Sequence, residues 1–142
     1  MKSLHTLLKI AEGDLETLRR ALAALIARQT AVEARIQAHD QSILAEQRLA
    51  AQDYESQRAY AGFVQLARQG KRVLEAEREA IEQEITRMRT LISEAHVEMR
   101  KFERLMELEA ERAKIRADKL EAAELDEFAT LRAARQSQTS KS

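Results

Sequence analysis

The chain has 142 residues, of which 34% are charged and only 4% aromatic, with three glycines, no proline and no tryptophan. This composition is typical of long helices and coiled coils, because it supplies apolar side chains for a helical seam but not for a globular core. The 24 basic and 24 acidic residues cancel, which excludes a long-range field that would attract nucleic acid or an anionic membrane.

The first predicted element is an amphipathic helix from about Ser3 to about Gln52. Its apolar residues recur in alternating steps of four and three, the spacing of a coiled-coil seam. Charged residues such as Lys2 and Lys9 interrupt its first leucines, so we expect neither a signal peptide nor a membrane span. The seam residues predicted for the coiled-coil core of this helix are Leu8, Leu15, Leu18, Leu22, Leu25, Val32, Ile36 and Ile43.

A turn is predicted at about residues 52 to 58. Asp53 and Ser56 are both suitable N-caps for a second helix, and Gly62 and Gly70 are weak points within that helix. A short reversal between two long amphipathic helices implies an antiparallel hairpin.

The few aromatic residues gather near this turn, where Tyr54, Tyr60 and Phe63 lie within ten positions of one another. Two interpretations remain open for them. They either pack together to close the hairpin or form an exposed contact patch at its tip.

The second helix is predicted from about residue 58 to about residue 135, in a single hairpin domain spanning residues 1 to 136. Residues 136 to 142 are polar and are expected to be disordered. Residues 72 to 131 contain no proline or glycine, and their seven-residue repeat predicts a left-handed supercoil with the first helix. The core residues of the second helix are Leu74, Ile81, Ile85, Met88, Ile92, Met99, Phe102 and Met106. The predicted fold is therefore all-α, an antiparallel two-helix coiled-coil hairpin with a longer C-terminal helix.

A hairpin that turns near residue 55 leaves the end of the second helix without a partner. The N-terminal end of the first helix then lies opposite about Glu107, so residues 109 to 135 should project alone. Glu109 and Arg116 agree with this, because they put charge where a paired helix needs apolar residues. An unpaired helix that keeps large apolar residues is a candidate docking surface. The apolar residues in question are Leu108, Ile115, Leu120, Leu125, Phe128 and Leu131.

No arrangement of residues in the sequence indicates catalysis. There is no glycine-rich phosphate loop, no cysteine and no nucleophile elbow, and His5, His39 and His96 form no metal-binding pair. His39 falls on the seam, where we expect it to be hydrogen-bonded or partly exposed. We predict no catalytic residue, no cofactor, no metal ion, no small-molecule substrate and no nucleic-acid partner. The absence of cysteine fits the cytosol.

The C-terminal part of the second helix is distinctive. Residues 125 to 129 read LDEFA and are followed by Arg132 and Arg135. With the mid-chain Tyr60 and Phe63, this pattern resembles the FliJ family of flagellar export proteins, which is related to the YscO-like proteins of virulence type III secretion. The resemblance implies a non-enzymatic coiled-coil hairpin similar to the stalk of rotary ATPases. It also implies a cytoplasmic protein that is peripherally associated with the inner membrane at the flagellar base.

The resemblance further implies three kinds of partner. One end of such a stalk enters the central pore of the hexameric export ATPase, the other reaches the membrane export gate protein, and the protein also handles export chaperones. The residues assigned to the ATPase-binding end are Leu120, Leu125, Asp126, Glu127, Phe128, Leu131, Arg132 and Arg135. The residues assigned to the gate or chaperone contact are Tyr54, Tyr60, Phe63 and Leu66.

Two other functions fit the same residues. The chain could be a structural scaffold or spacer that dimerises with itself through extended parallel helices, in which case it forms no hairpin. It could also be a helical-hairpin chaperone that holds apolar clients at exposed tips.

Overall fold

In a computed structural model, the backbone is described for residues 2 to 140 and the side chains for residues 3 to 139. Two helices account for nearly all of this part of the chain: α1 spans Lys2–Ala50 and α2 spans Tyr54–Ser140. The described residues contain no strand. The predicted all-α class is therefore confirmed.

Contacts divide the chain into two compact units, one formed by Glu12–His96 and the other by Met1–Ala11 together with Val97–Ser142. In the first unit, two ion pairs join the helices. Arg35 Nη1 lies 3.6 Å from Glu77 Oε2 in one pair. In the other, Lys71 Nζ lies 2.8 Å from Asp40 Oδ1. Asp40 follows Arg35 in α1, whereas its partner Lys71 precedes Glu77 in α2. The helices of this unit therefore run antiparallel.

The core of the Glu12–His96 unit is a single line of aliphatic side chains between the two helices. Ile81 is the most buried of them, with 2% of its surface exposed. Burying a side chain of this size stabilises a fold by about 1.5 to 3 kcal/mol. The buried cluster consists of Leu25, Val32, Ile36, Leu74, Ile81 and Ile85, with Leu22 and Met88 packed against it.

A polar layer interrupts this core closer to the turn. His39 Nε2 donates a hydrogen bond to the Ala67 carbonyl oxygen at 2.5 Å. Gly70 lies beside the ring, and a Cβ atom there would approach His39 Cε1 to 3.2 Å. Next to this contact, the hydrogen bond from Lys71 to Asp40 and the charge of Asp40 raise the pKa of the lysine. The expectation that His39 is a hydrogen-bonded seam residue is confirmed.

The turn is shorter than predicted, since only residues 51 to 53 lie between the helices rather than residues 52 to 58. Asp53 is the N-cap, because its Oδ1 accepts a hydrogen bond from the Ser56 backbone N–H at 2.7 Å. Hydrogen bonds from the backbone and side chain of Ser56 lower the pKa of Asp53. No residue in the described part of the chain has a positive φ angle. The cap starts α2 at once, so no glycine is needed in the turn.

The ends of the helices also differ from the prediction. α1 ends at Ala50 rather than near Gln52, and α2 begins at Tyr54 rather than near residue 58. The expected disordered tail is helical up to Ser140, and the last two residues of the chain lie outside the described residues.

The extension of α2 has a local cause. No proline or glycine follows Gly70, so nothing in the sequence forces the helix to stop at residue 135. The Thr139 hydroxyl donates to the backbone carbonyl oxygens of Arg135 and Gln136, at 3.1 and 3.0 Å, which continues the hydrogen bonding of the last turn. Over the described residues, neither helix contains a segment long and apolar enough to cross a membrane.

Candidate functional site

In the unit formed by the two ends of the chain, α2 continues well past the residues that α1 covers. Leu4, near the start of α1, lines a shallow surface groove together with Met106, Ala110 and Ala113 of α2. Beyond this point, every residue from Ala110 to Thr139 is exposed. We call residues 110 to 139 the overhang. The overhang begins close to Glu107, the position of α2 at which pairing with the N-terminal end of α1 was predicted to stop.

The overhang keeps large apolar side chains in contact with water. A helix that is exposed on every side has no need of such residues for its own folding, and exposed apolar patches commonly mark binding surfaces. The exposed fractions are 50% for Ile115, 63% for Leu120, 63% for Leu125, 65% for Phe128 and 57% for Leu131.

Four of the residues predicted for the ATPase-binding end lie together in space. Phe128, Leu131, Arg132 and Arg135 line one shallow groove on the surface of α2. This groove combines an aromatic ring and a branched aliphatic chain with two guanidinium groups. It therefore offers both an apolar contact and two donors for acidic groups of a partner.

The other predicted residues of this end are distributed around the helix. With 100° of rotation per residue, Asp126 lies about 160° away from Phe128 and faces the opposite side. Leu120 returns to the side that carries Leu131, whereas Leu125 lies to one flank of it. All of these residues are exposed, so the structure brings only part of the predicted set into one surface.

Charged residues interrupt the seam of α2 where the overhang begins, as the sequence predicts. Arg116 Nη2 lies 3.8 Å from Glu109 Oε1, an ion pair that spans two turns of the same helix. The side chain of Arg116 is 67% exposed, and an ion pair of this kind contributes little stability. The two residues therefore keep this part of α2 hydrated rather than packed.

The residues predicted for the gate or chaperone contact separate into two pairs. Tyr54 and Leu66 are 76% and 72% exposed, whereas Tyr60 and Phe63 are half-buried. The spacing of Tyr60, Phe63 and the buried Ala67 continues the seam of α2 towards the turn. Tyr60 and Phe63 therefore fit the interpretation in which aromatic residues pack near the turn, whereas Tyr54 fits the interpretation of an exposed contact patch.

Sequence reasoning missed several small residues. Ala50 and Ala67 are buried, at 6% and 5% exposure, although neither was assigned to the core. Ala110 and Ala113 line the groove beside Leu4. Their positions in the heptad repeat could have identified Ala67 and Ala50. Ala67 lies seven residues before Leu74, a seam residue of α2, and Ala50 lies seven residues after Ile43, a seam residue of α1.

Among the described residues, no three His, Asp or Glu side chains lie close enough together to hold a metal ion. The grooves described above are open depressions on helix surfaces. Among the described residues, the exposed end of α2 is a feature suited to binding, because it keeps large apolar side chains at the surface.

Comparisons with protein-family models, with curated proteins and with solved structures found no match.

Proposed function

We propose that this chain is a non-enzymatic stalk and regulatory factor of a flagellar type III protein export apparatus. The overhang inserts into the central pore of the hexameric export ATPase. The region near the turn contacts the membrane export gate protein and export chaperones. The protein then acts in the cytoplasm, held at the inner membrane at the flagellar base by its partners.

The observation that carries this proposal is the exposed apolar groove of the overhang. Phe128 and Leu131 stay largely exposed, in a part of α2 whose residues are all exposed from Ala110 to Thr139. Removing each of them from water on binding is worth about 1.5 to 3 kcal/mol. Arg132 and Arg135 lie in the same groove and can pair with carboxylates of loops that line a pore.

A single helix also suits a pore physically. An α-helix with its side chains is about 10 to 12 Å wide, whereas a paired helix needs roughly twice that width. The overhang is the part of the chain that meets this limit, since all of its residues are exposed. The paired region then remains outside the pore.

Truncation after Lys119 tests the proposal directly. It removes the groove and leaves the buried cluster of the Glu12–His96 unit intact. We expect the full-length chain to copurify with the export ATPase and to stimulate its hydrolysis of ATP, and we expect the truncated chain to do neither.

A finer test uses matched substitutions in full-length protein. Phe128→Ala should weaken the complex by at least about 2 kcal/mol, the size of a hot-spot effect. Val97→Ala is the control, because Val97 is also on α2 and is 66% exposed but lies outside the overhang. An unchanged rate of ATP hydrolysis with the truncated chain would contradict the proposal.

The gate or chaperone contact rests on Tyr54 and Leu66, the two predicted residues that are free to meet a partner through exposed surface. Changing both to serine should reduce binding of an export chaperone or of the export gate protein, measured by pull-down. Binding of the ATPase should be unaffected. If the double substitution also abolished binding of the ATPase, the gate or chaperone contact and the ATPase contact would not be separate sites.

The alternative functions differ in what they require of the helices. The spacer formed from extended parallel helices expects no reversal of the chain, whereas α1 and α2 form antiparallel contacts in the Glu12–His96 unit. The helical-hairpin chaperone is compatible with exposed Tyr54 and Leu66. Binding of unfolded client segments without any effect on the export ATPase would favour it.

A further inference from the structure

One side of the overhang has small residues in its first half and large residues in its second half. A helix with 3.6 residues per turn places these residues in a single stripe. In chain order the stripe contains Ala110, Ala113 and Ala117, followed by Leu120, Glu124, Phe128 and Leu131, so it is apolar except at Glu124.

The order of this stripe is symmetric about the point between Leu120 and Glu121. Ala113 precedes that point by as many residues as Phe128 follows it, and Ala110 and Leu131 are related in the same way. Two overhangs that cross antiparallel at this point therefore place Leu131 opposite Ala110, Phe128 opposite Ala113 and Glu124 opposite Ala117 of the second copy, and the two copies of Leu120 meet at the crossing point. Such an arrangement allows close packing of the two helices.

The surface of the overhang has the depressions that this packing requires. One groove is lined by Ala110 and Ala113, beside Met106 and Leu4. A second groove is lined by Phe128 and Leu131. In the antiparallel arrangement each groove of one copy meets the other groove of the second copy.

Charge favours the same orientation. Residues 112 to 116 contain three basic residues and no acidic one, while residues 124 to 127 contain three acidic residues and no basic one. An antiparallel crossing puts the basic segment of each copy level with the acidic segment of the other. A parallel crossing in register puts like charges together, which is unfavourable. On one flank of the stripe, Arg116 comes within about 3 Å of Glu127 of the second copy, measured along the helix axis at 1.5 Å per residue.

We propose that the overhang binds the overhang of a second copy of this chain, antiparallel, from Ala110 to Leu131. The contact is about 33 Å long at 1.5 Å per residue, and it ends where Leu4 of α1 covers α2. The proposal does not rest on the function proposed above. If both hold, pairing covers Phe128 and Leu131, so that a paired chain cannot occupy the ATPase.

Disulfide cross-linking tests the geometry, because the chain contains no cysteine. Leu120→Cys places one thiol per copy next to the symmetry point, so mild oxidation should join two chains. Ala122→Cys is the matched control, since it lies at almost the same level on the opposite side of the helix. We expect about tenfold more cross-linked dimer with Leu120→Cys, because the paired helices hold its thiols at high effective concentration.

A third cysteine variant distinguishes the two orientations. In the antiparallel pair, the two copies of Ala113→Cys lie about 22 Å apart along the helix axis, beyond the reach of a disulfide. In a parallel pair they face each other. Cross-linking of Ala113→Cys to itself as efficiently as Leu120→Cys would overturn the proposal, and so would equal yields from Leu120→Cys and Ala122→Cys.

Exchange of charges tests the pairing without cysteines. Arg116→Glu and Glu127→Arg each place like charges together in a homodimer, so each variant should dimerise more weakly than wild type in sedimentation, with its mean mass shifted towards the 16.2 kDa of one chain. An equimolar mixture of the two variants restores both ion pairs and should form a heterodimer of twice that mass. Absence of a heterodimer, with wild type dimeric and both variants helical by circular dichroism, would overturn the proposed contact. A wild-type chain that stays monomeric across a concentration series would overturn the proposal itself.

Discussion

Shortening Ile81 to alanine should destabilise the paired helices more than any change of equal size outside the core. Ile81 is 2% exposed and belongs to the buried cluster between α1 and α2. Replacing a buried isoleucine by alanine costs about 2 to 5 kcal/mol, and the higher helix propensity of alanine recovers a few tenths. A two-helix interface lets water reach the new space, so we expect a net loss of about 2 to 3 kcal/mol.

Urea denaturation followed by circular dichroism at 222 nm measures this loss. With a slope of about 1.5 kcal/mol/M, the midpoint should fall by roughly 1.3 to 2 M. Ile115→Ala is the matched control, because it removes the same atoms from a residue of α2 that is 50% exposed, and its effect should be near zero or slightly stabilising. Equal midpoint shifts for the two variants would show that the line of aliphatic side chains is not what holds the helices together.

Other consequences can be measured in the same way. Gly13→Ala and Gly62→Ala should each stabilise the protein by up to about 1 kcal/mol, because a Cβ at either site meets nothing within 4 Å; Gly70→Ala should gain less or lose, because its Cβ meets an imidazole at 3.2 Å. The stability contributed by ionised Asp53 should be complete above its ordinary pKa of 3.8 and disappear as the pH falls through its lowered folded-state pKa. Thermal melts of Asp53→Ala at several pH values should lack that part of the acid dependence. Amide hydrogen exchange should be faster in the overhang than in the buried cluster, since every residue of the overhang is exposed; equal protection would mean that something covers it.

The seam was predictable because it depends on a repeat that the sequence displays directly. Every residue assigned to the coiled-coil core is buried or half-buried. A periodic apolar pattern and its length determine which faces of two helices can pair, and the position of the reversal then determines which residues remain unpaired. The exposure of Phe128 and Leu131 follows from that reasoning.

The limits of the helices were less predictable, because they depend on local competition between weak signals. Asp53 and Ser56 were equally good N-caps in the sequence, and only the hydrogen bond from Ser56 N–H to Asp53 Oδ1 distinguishes them. Gly62 and Gly70 were predicted to lie within the second helix, and both lie inside α2. The space beside Gly70 is filled by His39, which no repeat in the sequence could reveal.

The contact between His39 and Ala67 has a consequence for how the two helices are aligned. An apolar repeat of seven residues tolerates displacement of one helix along the other by seven, since aliphatic side chains would again meet aliphatic side chains. The imidazole accommodated beside Gly70 and the ion pair between Asp40 and Lys71 have no equivalent one repeat away. These few polar atoms make one alignment of α1 with α2 in the Glu12–His96 unit preferable to alignments displaced by a whole repeat, so a histidine near the turn helps to determine which aliphatic side chains meet in the core of that unit.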